Sequence, residues 1–457
     1  MTLLRVAESP SAVWLRFCTA FVALNAPHWV LSHWLFVSRP IFNIELVLPL
    51  LVAAWSLRAA VPAIAVAWAF DLAVSQSRSY HFTSPQEFLS SVRFLGDIHI
   101  EQFLSMDRLL IALPFAVSAG LALWLTPRRR VPWTAAFTVA AVLSALDIAN
   151  GSSMAWQPGT RLLAANIANA PATTLAVGAL NRRPPPPLVA VATNASATAA
   201  ADLAGWAAQH PEGSALIVVV ESMGLHVDAG LRSWLRDQLF DGSLEAKYRL
   251  REFSVPFRGS TTSAELRELC TLHGSYQSLN ATTGASCLPA MLSNKGWTTV
   301  GLHGFSSHMF DRSLWWPLLG LQRQRFAEDL ALPGGERCGA AFAGLCDAAL
   351  LEAAVAEAQT PRRLVYALTL NSHLPLSPVD LPVDLQERCR AAKTGDDVCM
   401  LTATLGIALR SLKASLARTS ASPEVVVVGD HAPPFGPLTQ RNQYDHGQVP
   451  AFVLTPH

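Results

Sequence analysis

The sequence predicts a membrane-anchored protein with two main parts, an α-helical transmembrane domain of about five spans and an extracytoplasmic α/β domain. Three observations lead to this prediction: an uneven distribution of apolar residues, strand-like runs that end in polar side chains, and cysteines that fall into pairs. The chain has 457 residues, of which 51% are hydrophobic and 15% are charged, and its mean hydropathy is +0.30. The formal net charge of +1 gives no reason to expect a nucleic-acid partner.

The apolar excess lies near the start of the chain, where we interpret five apolar segments as membrane spans of roughly 20 residues or slightly fewer. Arg5, Arg58 and residues 128–130 flank these segments on one face, which the positive-inside rule assigns to the cytoplasm. An odd number of spans then places the rest of the chain outside. Glu45 and Asp71 lie within spans, where ionisable side chains either mark a functional interior or sit near the interface. The segments are 13–37, 41–55, 61–75, 109–126 and 131–148.

We divide the chain into a transmembrane helical domain (1–150), a connecting region (151–212) and an extracytoplasmic α/β domain (213–457). The last of these has the length of one ordinary α/β domain. Within the connecting region, residues 161–167 predict either a short interfacial helix or a plain connector, and residues 182–187 predict a stiff proline-rich spacer. The first apolar segment lacks a signal-peptide cleavage site, so we expect it to remain as an anchor.

Six of the seven cysteines lie in the 213–457 domain and form close pairs along the sequence. An even number of paired cysteines beyond a membrane anchor predicts disulfides in an oxidising compartment. Pairing of neighbours is the simplest connectivity, and the absence of a Cys-x-x-Cys unit argues against a zinc ribbon. The predicted pairs are Cys270 with Cys287, Cys338 with Cys346, and Cys389 with Cys399.

Two strand-like runs end in side chains that commonly bind metals. Residues 215–220 lead into Glu221, and residues 425–429 lead into Asp430 and His431. Buried runs of β-branched residues are typical of the inner strands of an α/β sheet, and ligands of such sheets gather at the carboxyl ends of the strands. The sequence therefore predicts a metal site where these two strands end.

A run of hydroxyl residues lies between the two strand-like segments. Gly259 is followed by Ser-Thr-Thr-Ser and then by a helical pattern over 264–270. The ordinary explanation is helix capping, with Glu265 completing a capping box. A helix N-terminus also stabilises anions, and a metal beside a hydroxyl turns it into a nucleophile. Both interpretations stay open for neighbouring residues.

The ordered set of these motifs resembles the extracytoplasmic sulfatase-like phosphotransferases of the alkaline phosphatase superfamily. That group includes lipoteichoic acid synthase, the phosphoglycerol transferases and the phosphoethanolamine transferases. The resemblance extends over the whole chain, since it includes both the membrane helices and the outer domain. It is most specific between Glu221 and His446. It implies an alkaline-phosphatase/sulfatase-like α/β fold for the 213–457 domain. The motifs that carry it, besides Glu221, are Gly259–Glu265, Leu302-His303-Gly304, Phe310-Asp311-Arg312, Asn371-Ser372-His373 and Gly429-Asp430-His431.

The resemblance implies a metal-activated threonine. Glu221, Asp430 and His431 would be metal ligands, and Thr261 would be both a ligand and the nucleophile that carries the phospho-group. Oxygen and imidazole donors suit one divalent cation, zinc or manganese, and a second cation stays open. Thr262 is the alternative nucleophile.

The resemblance further implies that five residues bind the substrate. An arginine such as Arg312 can hold phosphate oxygens in a bidentate manner. For these residues loop hydrogen bonding or core packing is the competing explanation. The sequence Tyr-Asp-His-Gly around His446 resembles the phosphoethanolamine transferases, whereas other motifs resemble lipoteichoic acid synthases, so the head group is not decided. The five residues are His303, Phe310, Arg312, His373 and His446.

The implied function is a multi-pass enzyme of the bacterial inner membrane whose periplasmic domain moves a head group from a phospholipid donor to a surface glycan or glycolipid. Phosphoethanolamine is favoured as the cargo, and phosphoglycerol comes next. A true sulfatase is disfavoured because the Cys-x-Pro-x-Arg motif is absent. The alternatives are a phosphodiesterase that uses the same metal site and a non-catalytic partner of a polysaccharide export system.

Overall fold

A computed structural model describes most of the chain and divides it into two compact units. Unit 1 comprises Met1–Leu89 and Leu104–Arg183, and unit 2 comprises Ser90–Phe103 and Pro184–His457. The arginines at 5 and 128–130, the predicted interfacial helix and the predicted proline-rich spacer lie outside the described residues. The described residues are 9–35, 41–82, 85–103, 106–127, 132–149, 168–170, 188–191, 197–330 and 336–457.

Unit 1 is helical. Its buried side chains are mainly apolar, and they come from all of its long helices. Two short strands, β1 (Phe42–Asn43) and β2 (Ala168–Asn169), pair in parallel. Its helices are α1 (Pro10–Leu35), α2 (Val47–Trp55), α3 (Leu57–Ser79), α4 (Pro85–Ser91, whose last two residues belong to unit 2), α5 (Met106–Leu125) and α6 (Trp133–Ala149).

Two helices of the described residues are long and apolar enough to cross a membrane, Leu57–Val74 and Asp396–Arg418. The first falls on the third predicted span. The second is 67% buried and belongs to unit 2, which is typical of a core helix. Three further apolar helices in unit 1 are shorter than a full span, so the described residues do not establish a domain of five spans. These helices are Ile44–Trp55, Ala112–Leu125 and Trp133–Leu146.

Unit 2 is an α/β domain, as the sequence predicts. It is built on a seven-stranded mixed sheet. The order of the strands is β5-β13-β12-β4-β11-β7-β8. The last five of these run parallel, whereas β13 is antiparallel to both β12 and β5. The strands are β4 (Ser214–Val220), β5 (Tyr248–Pro256), β7 (Thr298–His303), β8 (Arg323–Arg325), β11 (Arg363–Leu368), β12 (Glu424–Gly429) and β13 (Gln448–Pro456).

Every residue of β4 and β12 is buried, because helices cover both faces of a sheet of this type.

Short strands and helices complete unit 2. The short strands are β3 (Val189–Ala190), which pairs with β6 (Leu272–His273), and β9 (Arg337–Cys338), which pairs with β10 (Gly344–Leu345). The helices are α7 (Leu203–Gln209), α8 (Ala229–Leu239), α9 (Gly242–Glu245), α10 (Thr261–Cys270), α11 (Ala281–Gly284), α12 (Leu288–Asn294), α13 (Arg312–Trp315), α14 (Ala327–Leu330), α15 (Asp347–Glu357), α16 (Val383–Ala392), α17 (Asp396–Arg418) and α18 (Leu438–Arg441).

The predicted disulfides are confirmed. Three bonds join neighbouring cysteines along the chain, and all of them lie in unit 2. One of them ties the end of α10 to the residue before α12. The pairs are Cys270–Cys287, Cys338–Cys346 and Cys389–Cys399.

Part of the predicted connecting region packs into unit 2. Glu268 on α10 accepts hydrogen bonds from Thr198 Oγ1 at 2.8 Å and from the backbone N–H of Ala200 at 3.0 Å. Thr198 and Ala200 are buried. The helix that begins with Thr261 is therefore held from one side by residues that precede the sheet in the chain.

Candidate metal and phosphate site

The carboxyl ends of β4 and β12 lie side by side. These strands are parallel neighbours in the sheet, with Gly429 in register with Val220. The residue after each strand, Glu221 and Asp430, therefore emerges at the same edge. A β-carbon on Gly429 would lie 2.0 Å from the carbonyl oxygen of Met223, so only glycine permits this close approach.

Three buried side chains at this edge form a cluster suited to a cation. One donor atom each from Glu221, Asp430 and His431 lies within 4.8 Å of the other two. His431 Nε2 is 3.2 Å from Asp430 Oδ2 and 3.8 Å from Glu221 Oε1. The ring Nδ1–H of His431 donates to the carbonyl oxygen of Ala432 at 3.0 Å, which directs the lone pair of Nε2 into the cluster. This donor set fits zinc or manganese.

The Thr261 hydroxyl points into the cluster. Its Oγ1 is 3.1 Å from Glu221 Oε2, 2.9 Å from Asp430 Oδ2 and 3.4 Å from His431 Nε2. Thr262 is buried, and its Oγ1 lies 3.3 Å from Ser260 Oγ. The structure thus brings Thr261, and not Thr262, to the three candidate ligands.

Helix capping does not account for the hydroxyl run. Ser260 occupies the N-cap position of α10, but its side chain makes no capping hydrogen bond. The expected capping box is wrong, because Glu265 turns away from the helix start and pairs with Arg312 instead. Gly259 supplies a φ of +85° just before the helix, a conformation that glycine adopts readily. These features leave the Thr261 hydroxyl available to the cluster.

The two carboxyl groups have opposite electrostatic tendencies. Burial alone would raise the pKa of Glu221, but the charges of His373 and His431 and a hydrogen bond from Ser222 outweigh it and hold the pKa below its ordinary value. Burial, and then the charge of Glu221, raise the pKa of Asp430 well above its ordinary value. Carboxyl groups that interact this closely share a proton between them. A divalent cation would replace that proton and leave both groups ionised.

Two histidines follow neighbouring strands at the same edge. His303 ends β7, is 2% exposed, and its Nδ1–H donates to the carbonyl oxygen of Leu368 at 3.0 Å. Burial, and then the charge of Arg312, lower the pKa of His303 to about 3, so its ring is neutral. His373 is close enough to Glu221 for the two charges to interact, although burial lowers the pKa of His373. Its Nδ1–H donates to the carbonyl oxygen of Leu374 at 2.7 Å, which leaves Nε2 for a substrate.

The other three predicted substrate residues are Arg312, Phe310 and His446, and each has its own local setting. Arg312 is 2% exposed, and its guanidinium pairs with Glu265 at 2.8 Å. Phe310 is half-buried and adopts a φ of +53°. His446 is exposed in the turn before β13 and is not one of the clustered residues. The structure therefore brings together Glu221, Thr261, Asp430 and His431, with His373 near them.

Sequence reasoning missed Arg267, which fixes the end of β12. This arginine is 1% exposed, and it donates to the carbonyl oxygens of Gly429 at 2.7 Å and Asp430 at 3.3 Å. Its Nε donates to Glu268 Oε1 at 2.6 Å. The available signal was the adjacent pair Arg267-Glu268 in a helix whose other charged residue is Glu265.

Asp347 was also missed, although it positions the segment that carries His373. Its carboxylate accepts hydrogen bonds from the backbone N–H groups of Leu370 at 2.8 Å and Asn371 at 2.9 Å. Asn371 Oδ1 in turn accepts from the backbone N–H of Asp347 at 2.6 Å. Burial raises the pKa of Asp347 to about 7. Its partners are distant in sequence, so no local pattern indicates this role.

Comparison with known proteins gave similarity at the level of solved structures alone. No protein-family model matches the chain, and no curated protein matches it. The chain is similar to a lipoteichoic acid synthase from Listeria monocytogenes, with 16% identity and a TM-score of 0.37. That match covers 53% of this chain and 65% of the synthase, so this chain spans less than two thirds of that structure.

Two other solved structures are similar to this chain at a comparable level. The phosphoglycerol transferase GacH of Streptococcus pyogenes, in complex with sn-glycerol-1-phosphate, is 13% identical with a TM-score of 0.36, over 53% of this chain and 68% of that chain. The C-terminal periplasmic domain of EptC from Escherichia coli, in complex with zinc, is 14% identical with a TM-score of 0.34, over 54% and 73% of the two chains.

Proposed function

We propose that this protein is a metal-dependent transferase that takes a phospho-head group from a phospholipid and passes it to a surface glycan or glycolipid. The observation that carries the proposal is the position of Thr261 Oγ1, which lies within 3.4 Å of donor atoms of Glu221, Asp430 and His431. Phosphoethanolamine is the favoured head group because of the motif around His446, and phosphoglycerol comes next.

Thr261 combines two properties that a phosphoryl acceptor needs. It is the first residue of α10, a helix of 10 residues, so the N–H groups of the first turn can stabilise the oxygens of a bound phosphate. A divalent cation held by Glu221, Asp430 and His431 would lower the pKa of the hydroxyl and polarise the phosphoryl group. We propose one such cation, and a second is left open.

The proposed reaction is a double displacement. Thr261 releases its hydroxyl proton, Oγ1 forms a bond to phosphorus, and the bond from phosphorus to the diacylglycerol oxygen breaks as that oxygen takes up a proton. The acceptor hydroxyl then loses its proton and bonds to phosphorus, while the bond to Oγ1 breaks and Thr261 is reprotonated. His373 Nε2 is proposed to exchange protons with the departing and arriving alcohols.

The proposed location is the bacterial inner membrane, with five helices of unit 1 as spans and unit 2 in the periplasm. Support comes from the three disulfides, which form in oxidising compartments. A phospholipid donor lies in the bilayer, so membrane anchoring would hold the enzyme where its donor is available.

The test uses the full chain in detergent with head-group-labelled phosphatidylethanolamine or phosphatidylglycerol, with and without a fraction of cell-envelope glycan. We expect release of diacylglycerol with label retained on the protein, and transfer of the label when glycan is added. Thr261→Ala should abolish both, and the matched variant Thr262→Val should retain both. Loss of the head group to water alone would indicate a phosphodiesterase, and a lack of diacylglycerol release from either donor would contradict the proposal.

A further inference from the structure

One segment of unit 2 comes from a distant part of the sequence. Residues Ser90–Phe103 belong to unit 2, although the chain on both sides of them belongs to unit 1. The segment contains two short 3₁₀ helices, Val92–Asp97 and Ile100–Phe103. Its contacts with the rest of unit 2 are both apolar and polar, and they centre on the motif that contains Phe310.

The apolar contacts come from Phe94. Its side chain is 7% exposed and packs in a cluster with Phe305, Met309 and Leu370. The rings of Phe94 and Phe310 lie 5.6 Å apart between centroids. Because burial of a large aromatic side chain is strongly favourable, this cluster attaches the short segment firmly to the rest of unit 2.

One of the polar contacts is an ion pair between Arg93 and Asp311. Asp311 Oδ2 also accepts a hydrogen bond from Tyr276 Oη at 3.3 Å. Phe310 and Asp311 are consecutive non-glycine residues with positive φ, +53° and +55°. Such a conformation is strained for a residue with a side chain and persists only where surrounding contacts hold it. Arg93 and Phe94 each contact one of these two residues.

The strained pair is joined directly to the helix that carries the candidate nucleophile. Arg312, the next residue, pairs with Glu265 on α10 at 2.8 Å, and both side chains are buried. Trp316 Nε1 donates to the other oxygen of Glu265 at 2.8 Å. Separating the charges of a buried ion pair is costly. A displacement of the 310–312 turn is therefore expected to displace α10 as well.

We infer that Ser90–Phe103 is a positioning element of the active site, in which Arg93 and Phe94 hold the strained Phe310–Asp311 turn and thereby the orientation of α10 and Thr261. The catalytic consequence rests on the proposed function. The structural consequence, that the turn loosens when Arg93 is removed, does not.

The test compares four single variants and one double variant of the full chain. Arg93→Ala removes the ion pair, Arg93→Lys keeps the charge, and Asp311→Asn removes the pair from the other side while keeping a residue that tolerates positive φ. The matched control is Arg251→Ala, because Arg251 forms an ion pair with Asp202 at 2.9 Å and has a similar exposure, 48% against 53% for Arg93.

Two readouts separate positioning from general stability. Amide hydrogen exchange should become faster in the peptide 309–316 of Arg93→Ala and Asp311→Asn and should not change there in Arg251→Ala. The value of kcat/KM for head-group transfer should fall about three- to tenfold in these two variants and recover largely in Arg93→Lys. The double variant Arg93→Ala with Asp311→Asn should lose no more than either single variant.

Unchanged exchange over residues 309–316 in Arg93→Ala would overturn the inference. An equal loss of kcat/KM in Arg251→Ala, or no recovery in Arg93→Lys, would also overturn it. If the unaltered protein transfers no head group, the exchange measurement still decides the positioning claim, and the proposed function alone fails.

Discussion

The two ends of the parallel strands in unit 2 both carry buried polar side chains, but they use them differently. At the amino ends, each group meets its own partner: Ser214 Oγ donates to the carbonyl oxygen of Ala358 at 2.6 Å, and Glu424 accepts from Thr455 Oγ1 at 3.0 Å. At the carboxyl ends, Glu221 and Asp430 share the same partners. Convergence, rather than burial, therefore distinguishes the end of the sheet that can perform chemistry.

The same contrast holds for electrostatics. Burial raises the pKa of Glu424 to about 7, and burial also raises the pKa of Asp430. Only for Asp430 does a neighbouring carboxylate, Glu221, add to the effect. A raised pKa by itself is thus no evidence of function, because a structural carboxyl group has one as well. The predictions below set variants at the two ends of the sheet against each other.

The largest effect is expected for Thr261→Ala. Removing the proposed nucleophile should reduce kcat for head-group transfer by at least about 10³-fold. Glu424→Gln, at the other end of the sheet, should retain kcat within about twofold of the unaltered protein. Both variants should keep the fold, as measured by circular dichroism. Residual activity of Thr261→Ala within about tenfold of the unaltered protein would be inconsistent with a phospho-threonine intermediate.

Metal binding should depend on side chains at the carboxyl ends of the parallel strands and not on those at the amino ends. Glu221→Gln removes one charged donor and should weaken zinc or manganese binding by at least about 100-fold, as measured by titration calorimetry. Glu424→Gln should leave the affinity unchanged, since Glu424 is not in the cluster. Chelation should lower the melting temperature of the unaltered protein, because a cation that binds only the folded state stabilises it. Equal metal affinities in the two variants would place the cation elsewhere.

A smaller effect is expected for Arg267→Lys. Lysine keeps a positive charge near Glu268 but cannot make the bonds to the carbonyl oxygens of both Gly429 and Asp430. We expect the free energy of unfolding to fall by about 1–3 kcal/mol and kcat to fall with it. Urea unfolding and steady-state kinetics measure the two quantities. A loss of stability with full activity would show that Arg267 supports the fold without positioning Asp430.

The last prediction concerns pH and Glu424, and it involves stability alone. Because its pKa rises from 4.5 in the unfolded chain to about 7 in the folded protein, this group stabilises the fold fully below pH 4.5, and that contribution is lost as the pH rises through 7. Glu424→Gln has no group that ionises here and so does not lose this contribution. The free energy of unfolding of the variant, relative to that of the unaltered protein, should therefore rise by about 1–3 kcal/mol from pH 5 to pH 8. Melting temperatures at the two pH values measure the change. A constant difference would contradict the assignment.

Sequence reasoning succeeded where the signal was local. Glu221 and Asp430 directly follow continuous runs of β-branched residues, so the sequence predicts both at the carboxyl ends of buried strands, and the two strands are parallel neighbours in the sheet. Thr261 could be proposed because it stands in a hydroxyl run at a helix start. The disulfides were predictable because each joins cysteines close together in the chain.

Sequence reasoning failed where a partner lies far away in the chain. Glu265 was expected to cap α10, but Arg312 competes for it from 47 positions away. Arg93 pairs with Asp311 across 218 positions, and no local pattern indicates such a contact. Composition alone also does not separate a buried core helix such as Asp396–Arg418 from a membrane span of the same hydropathy.

The central claim is that Thr261 attacks phosphorus from within the Glu221–Asp430–His431 cluster. Mass spectrometry of the full chain after exposure to phosphatidylethanolamine or phosphatidylglycerol, without acceptor, tests it most directly. We predict a phosphoethanolamine or phosphoglycerol adduct on Thr261 in the tryptic peptide that begins at Gly259, and no adduct in Thr261→Ala. An adduct on another residue, or turnover by Thr261→Ala at the rate of the unaltered protein, would contradict the claim.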